Sequence, residues 1–216
     1  MGEIVIKVEH LSKTFREQMV LKDVNAVFEK GNIYGIIGRN GSGKSMLFKC
    51  ICGFIRPTEG KVQIYGKEIG KDIDMAPCTG MLIEGTGFLA NYNAYHNLEF
   101  LVNIKKKVGK QQILDVLKTV GLEDAGSKKV GKFSMGMKQR LGIAQAIVEE
   151  QEILILDEPM NGLDHQGVKE MRNLILNLKD KQCTILVSSH NKEDIEILCD
   201  KVYEMDDGIL TACLIM

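Results

Sequence analysis

The chain has 216 residues, 44% hydrophobic and 26% charged, enough for one large α/β domain or a core with a small subdomain. Lysine and arginine number 28 against 29 acidic residues, a formal net charge of −1 that supplies no field for gathering phosphates, so no nucleic-acid partner is expected. No apolar run approaches the ~18 residues that cross a bilayer, and Met1–Ile6 carries neither a signal-peptide core nor a myristoylation-type hydroxyl at Ile6, so any membrane role is expected to be borrowed from a partner.

In chain order, alternation over Ile4–Glu9 and Val20–Glu29 predicts two strands. Val62–Gly66 adds a third after the turn Arg56-Pro57-Thr58-Glu59-Gly60. These three are expected to form a small β-region around the segment Gly38-Arg39-Asn40-Gly41-Ser42-Gly43-Lys44-Ser45. The apolar run Ile33–Ile37 predicts a buried strand before that segment, and Met46–Ile51 a helix after it. Its glycines leave backbone N–H groups free to wrap phosphate oxygens. Lys44 offers a mobile cation for β- and γ-phosphates, Ser45 a hydroxyl for Mg²⁺, and the helix end a favourable dipole. An ordinary Gly-rich turn is the bland alternative; the strand and helix on either side favour a nucleotide site.

From about residue 91 to 150 the pattern is helical, with Ile113, Leu114, Leu117 and Val120 on one face and Met137, Leu141, Ala144, Ile147 and Val148 on another. The basic run Lys105–Lys107 reads as a solvated helix end. Strand and helix then alternate: Ile153–Leu156, a helix over Gln166–Leu178 with Val168, Met171, Leu174 and Leu178 inward, and Thr184–Val187. That is the pattern of a parallel sheet covered by helices. Lys201–Met205 and Gly208–Leu210 flank an Asp-Gly turn and predict a hairpin; the tail to Met216 is expected to be a last strand. The six cysteines lack metal-ligand spacing; several sit in apolar segments and read as small buried hydrophobes, which fits a reducing compartment.

Asp157 and Glu158 end the apolar run Ile153–Leu156, at the edge where α/β sheets bind ligands. Asp157 is placed to hold Mg²⁺ and Glu158 to polarise a water attacking a γ-phosphate; an exposed acidic turn is the alternative. Phe133-Ser134-Met135-Gly136-Met137-Lys138-Gln139-Arg140 opens the next amphipathic helix upstream, with Ser134 as N-cap and the Gly136 N–H among its free donors. This octet resembles the signature motif of ATP-binding cassette proteins, usually Leu-Ser-Gly-Gly-Gln. The resemblance runs from about Val8 to the C-terminus. It makes Phe15 the aromatic that stacks on adenine, Asn161-Gly162-Leu163-Asp164 the loop after the catalytic glutamate, and His190 the histidine at the γ-phosphate. Thr79–Phe88 matches the loop that senses the membrane subunit, with Glu84 in place of its glutamine and joining Ser45 and Asp157 as a candidate Mg²⁺ ligand.

Departures are Met46 for a hydroxyl residue, Met135 and Met137 in the signature, and His165 where proline is common. Glu84 and the signature together resemble the branch serving bacitracin and lantibiotic efflux or immunity. The resemblance implies a phosphate-loop α/β ATPase with a parallel sheet core, an antiparallel β-subdomain and an inserted helical subdomain at about 91–150, in one domain spanning 1–216. It implies ATP and Mg²⁺, catalysis by Glu158 and His190, and a head-to-tail pair of chains, expected to be two copies of this one, that place ATP between Lys44 of one and Ser134 and Gly136 of the other. A transmembrane permease would hold the pair at the cytoplasmic face of the cell membrane. The alternatives are a soluble cassette ATPase without a permease and a nucleotide-binding regulatory subunit with little hydrolysis; neither the transported substrate nor its direction is legible.

Overall fold

The strands form two sheets, and those buried on both faces stand at the centre of one of them. The computed structural model describes residues 2–83, 87–105 and 108–213. β1 (Ile4–Phe15), β2 (Gln18–Glu29), β4 (Glu59–Ile64) and β5 (Lys67–Glu68) form an antiparallel sheet in the order β2-β1-β4-β5. Val8 stands opposite both Ala26 and Val62. β3 (Ile33–Ile37), β6 (Thr79–Leu82), β7 (Ile153–Leu156), β8 (Thr184–Ser188), β9 (Lys201–Asp206) and β10 (Ile209–Cys213) form the second sheet, ordered β10-β9-β3-β8-β7-β6. All its pairings are parallel except the β9–β10 hairpin.

β7 and β8 are buried at every position, because both faces of this sheet are covered. Side chains alternate between the faces. Ile153 and Ile155 join Tyr34, Ile36, Leu47, Phe48 and Leu186 in a core shared with the antiparallel sheet. Leu154, Leu156, Ile185 and Val187 join a second core roofed by the helices. These are α2 (Ala94–Lys105), α3 (Lys110–Thr119), α4 (Met135–Ile147) and α5 (His165–Asp180), whereas α1 (Lys44–Cys52) lies in the first core. The expected β-region, phosphate-loop helix, helical stretch and final hairpin are therefore all present.

Local chemistry explains several boundaries. The Ser134 hydroxyl accepts from the Met137 N–H at 3.2 Å and starts α4, and Asp164 accepts from the Gly167 N–H at 2.8 Å and starts α5. β1 runs on to Phe15 because its register shifts around His10, which sits at φ +50°, and that irregularity hides the second half from an alternation rule. Three other expectations need correcting. Thr79–Leu82, expected as loop, is an edge strand of the parallel sheet, and α6 (Lys192–Leu198) was not expected at all. Leu114 is exposed on α3 and Val168 and Leu178 only half-buried on α5; Gly167 and Ile175 are the buried positions instead. Thr211–Cys213 extend the last strand as expected, while Leu214–Met216 and Lys106–Lys107 fall outside the described residues.

Cys50, Cys52 and Cys183 are buried as small hydrophobes, and burial pushes their thiols up to about 11, 12 and 12 respectively. Gly80 explains why β6 escapes a propensity reading: a Cβ there would run into the Ala146 carbonyl of α4. We expect Gly80→Ala to lower unfolding stability by about 1–3 kcal/mol, the usual cost of overpacking, and Gly109→Ala, which meets nothing, to change it little. Urea titration followed by circular dichroism measures both.

Candidate nucleotide site

The chain leaves β3 and turns through Gly38–Gly43 before entering α1. Gly38 and Gly43 sit at φ +149° and +117°, and a Cβ on Gly38 would collide with the Met205 carbonyl, so only glycine fits there. Lys44 is 6% exposed, and its Nζ donates back to the Gly38 carbonyl at 2.7 Å and the Arg39 carbonyl at 3.0 Å. An ammonium has three N–H donors, so one remains for a ligand oxygen. The Ser42 hydroxyl is buried without a partner in the same loop. Arg39 points outward to Asp206 at 3.1 Å, and Asn40 and Gly41 line the adjoining cavity of about 810 Å³.

The cavity's opposite wall is the end of β7. Asp157, 6% exposed, accepts from the Ser45 hydroxyl at 2.5 Å and from the Ser188 hydroxyl at 2.6 Å. Glu158 follows at φ +49°, a strained setting for a residue with a Cβ. Its N–H donates to Ser188 Oγ at 2.9 Å, and its carbonyl accepts from Gln139 Nε2 at 3.0 Å and from the Asn161 N–H at 3.2 Å. His190 Nδ1 lies 2.8 Å from Glu158 Oε2, while Oε1 is buried with no partner. A buried carboxylate oxygen left without a donor faces a desolvation cost that an incoming O–H would remove. The arrangement can therefore hold a water beside an anion cradled by the loop and take its proton.

The donor set also suits Mg²⁺. Asp157 and Ser45 supply two hard oxygens side by side, and Mg²⁺ characteristically takes one or two protein oxygens and fills the rest of its shell with water and phosphate. Among the described residues no group of three or more His, Cys, Asp or Glu side chains could hold a metal.

The structure brings Asn40, Gly41, Gly43, Lys44, Ser45, Asp157, Glu158 and His190 to one cavity, with Met46 also in its wall. Phe15 is not part of that wall; it lies 43% exposed at the end of β1, with Lys13 Nζ 4.8 Å from its ring centroid. Ser134 and Gly136 also lie outside it, although Met135 and Gln139 of the same helix line it. Glu84, the other candidate metal ligand, lies outside the described residues. Sequence reasoning missed the roles of Ser188 and Gln139. A serine closing a fully apolar strand two residues before His190 was the available signal for the first.

Residues 21–161 match the protein family described as ABC transporter. The chain belongs to that family, as one of its ATP-hydrolysing subunits. It is 47% identical over 206 residues to an uncharacterized ABC transporter ATP-binding protein, YybJ, of Bacillus subtilis (strain 168), covering 95% of this chain and 94% of that one. It is 43% identical to the bacitracin transport ATP-binding protein BcrA of Bacillus licheniformis, over 95% of this chain and 68% of the relative. A solved structure of an ATP binding subunit of an ABC transporter superposes with a TM-score of 0.88 at 26% identity, covering 98% of this chain and 90% of that one. This ABC subunit thus has the overall arrangement of a known cassette.

Ser188→Ala strands one oxygen of Asp157 and the N–H of Glu158. Each such loss costs about 1–3 kcal/mol, so we expect the two together to lower stability by at least about 2 kcal/mol by urea unfolding, with the fold retained by circular dichroism.

Proposed function

We propose that this ABC subunit drives a separate membrane permease that exports an antimicrobial peptide or drug, or confers resistance to one. The observation that carries the motor reading is the Glu158 carboxylate, held by His190 on one oxygen and without a hydrogen-bond partner on the other, in the wall of the cavity that Lys44 also lines. Transport through a partner is supported by the absence, among the described residues, of any helix long and apolar enough to cross a membrane. The peptide-antibiotic class is supported by the likeness to a bacitracin transport ATP-binding protein.

In this reading Gly38–Lys44 bind the triphosphate through backbone N–H groups and the Lys44 ammonium, and Phe15 stacks on the base. Ser45 and Asp157 hold Mg²⁺, which offsets charge on the phosphate oxygens. Glu158 Oε1 takes a proton from water as the water oxygen bonds to the γ-phosphorus and the bond to the β-phosphate oxygen breaks, giving ADP and phosphate. His190 keeps Glu158 Oε2 in place. Ser134 and Gly136, being outside the cavity that holds their own chain's phosphate loop, serve the site of a second copy arranged head to tail. Two ATP molecules then join two copies, and hydrolysis parts them and moves a permease at the cytoplasmic face of the membrane.

Glu158→Gln keeps the shape but removes the base. We expect turnover to fall by about 10²–10⁴-fold, and the variant to form dimers with ATP and monomers without it, by size-exclusion with light scattering. A monomer that binds ATP would overturn the paired arrangement, and a chain that binds no ATP the motor itself. Met46 stands in the cavity wall where a hydroxyl is usual. We expect Met46→Thr to raise ATP affinity by a few-fold, the worth of one hydrogen bond at about 0.5–1.5 kcal/mol; isothermal titration calorimetry with no gain would show that Met46 costs nothing.

A further inference from the structure

Gln139 lies in the second turn of α4, yet its side chain leaves that helix to hold the catalytic loop. Its Nε2 donates to the Glu158 carbonyl at 3.0 Å from the wall of the nucleotide cavity. Glu158 occupies a backbone region that costs about 1–3 kcal/mol and persists only where its surroundings over-determine it. Three groups do so: Ser188 on its N–H, and Asn161 and Gln139 on its carbonyl. Ser188 and Asn161 belong to β8 and to the loop itself. Gln139 comes from the helix whose first turn carries Ser134 and Gly136.

That helix is braced to move as one piece. Next to Gln139, Arg140 donates to the Val120 carbonyl at 2.7 Å and to Glu170 at 2.9 Å, tying α4 to the end of α3 and to α5. Its first turn rests on the loop beyond Glu158. A Cβ on Gly136 would stand 2.8 Å from the Gly162 carbonyl, and one on Gly162 would stand 2.6 Å from Met135 Cε. A shift of the start of α4 therefore reaches residues 158–162 by direct contact, without passing through the sheet.

We infer that Gln139 is a positioning residue through which α4 sets the Glu158 peptide, so that the state of the α4 N-terminus governs hydrolysis in this chain's own site. The inference rests on the head-to-tail pair proposed above. There the start of α4 meets the nucleotide held by the second copy, so each copy's Glu158 responds to its partner's site. Coupling of this kind is a free energy shared by two sites and therefore acts in both directions on binding.

The test uses the full chain. ATP hydrolysis is measured against ATP concentration for the wild type, Gln139→Ala and Gln139→Lys, and ATP-dependent dimers are measured for Glu158→Gln with and without Gln139→Ala. We expect Gln139→Ala to lower kcat about tenfold, within the range found for residues that transmit coupling. KM should stay within about twofold, and the Hill coefficient should fall towards unity. Gln139→Lys, which keeps an N–H donor, should recover most of kcat, and the double variant should dimerise with ATP as Glu158→Gln does. An unchanged kcat and Hill coefficient in Gln139→Ala overturns the inference. Loss of ATP-dependent dimers in the double variant alone also overturns it, because Gln139 would then serve closure rather than Glu158. Failure of Glu158→Gln itself to dimerise removes the paired arrangement on which the inference stands.

Discussion

Asp157 is a nearly buried carboxylate whose two oxygens accept hydroxyls from different elements, Ser45 at the start of α1 and Ser188 at the end of β8. An anion taken out of water needs such partners, since burial without them costs several kcal/mol. Satisfying Asp157 thus fastens the phosphate loop to β7 and β8 at the sheet edge. Ser188 then accepts the Glu158 N–H, so the same hydroxyl that satisfies the first carboxylate fixes the backbone of the second. The geometry of the Asp157–Glu158 side of the cavity follows from that one shared contact.

Around this anchor the site leaves a small set of polar groups incomplete. Lys44 uses two of its donors on its own loop, Ser42 Oγ has no partner, and Glu158 Oε1 has none. All three residues belong to the turn after β3, to the start of α1 or to the wall of the cavity beside them, and buried polar groups are almost always satisfied. Preorganised donors and acceptors of this kind favour a charged ligand because they need no reorganisation when it arrives. The helix start at Ser134 is different in kind. Ser134 itself accepts from Met137 alone, is exposed and lies outside that cavity, although Met135 beside it is in the wall, which suits an edge that meets another molecule.

Much of the fold was legible because its determinants are local. The apolar runs of β3, β7 and β8, the N-cap Ser134, and the Asp-Gly turn of the last hairpin act over a few residues. β6 was hidden because Gly80 has low strand propensity and is needed only for its approach to Ala146. α6 was hidden by its seven-residue length, too short to show a period, although Asn191 caps it on the Glu193 N–H. That Asn40, Gly41, Gly43, Lys44 and Ser45 would share a cavity wall could be expected from their closeness in the chain, because a tight turn between a strand and a helix keeps them together.

The amino-acid order alone determined that a glycine-rich loop running into Lys44 and Ser45 lies between a buried strand and a helix, that two carboxylates end a second buried strand, and that a capped helix start lies between them in sequence. Those properties depend on neighbours within one turn or one strand. Tertiary structure decided which groups meet: Ser45 with Asp157 across 112 positions, Ser188 with Asp157 across 31, His190 with Glu158 across 32, and Gln139 with the Glu158 carbonyl across 19. Those meetings depend on strand order. β8 lies between β3 and β7 although it follows both in the chain, and only that crossover brings Ser188 and His190 beside Asp157 and Glu158.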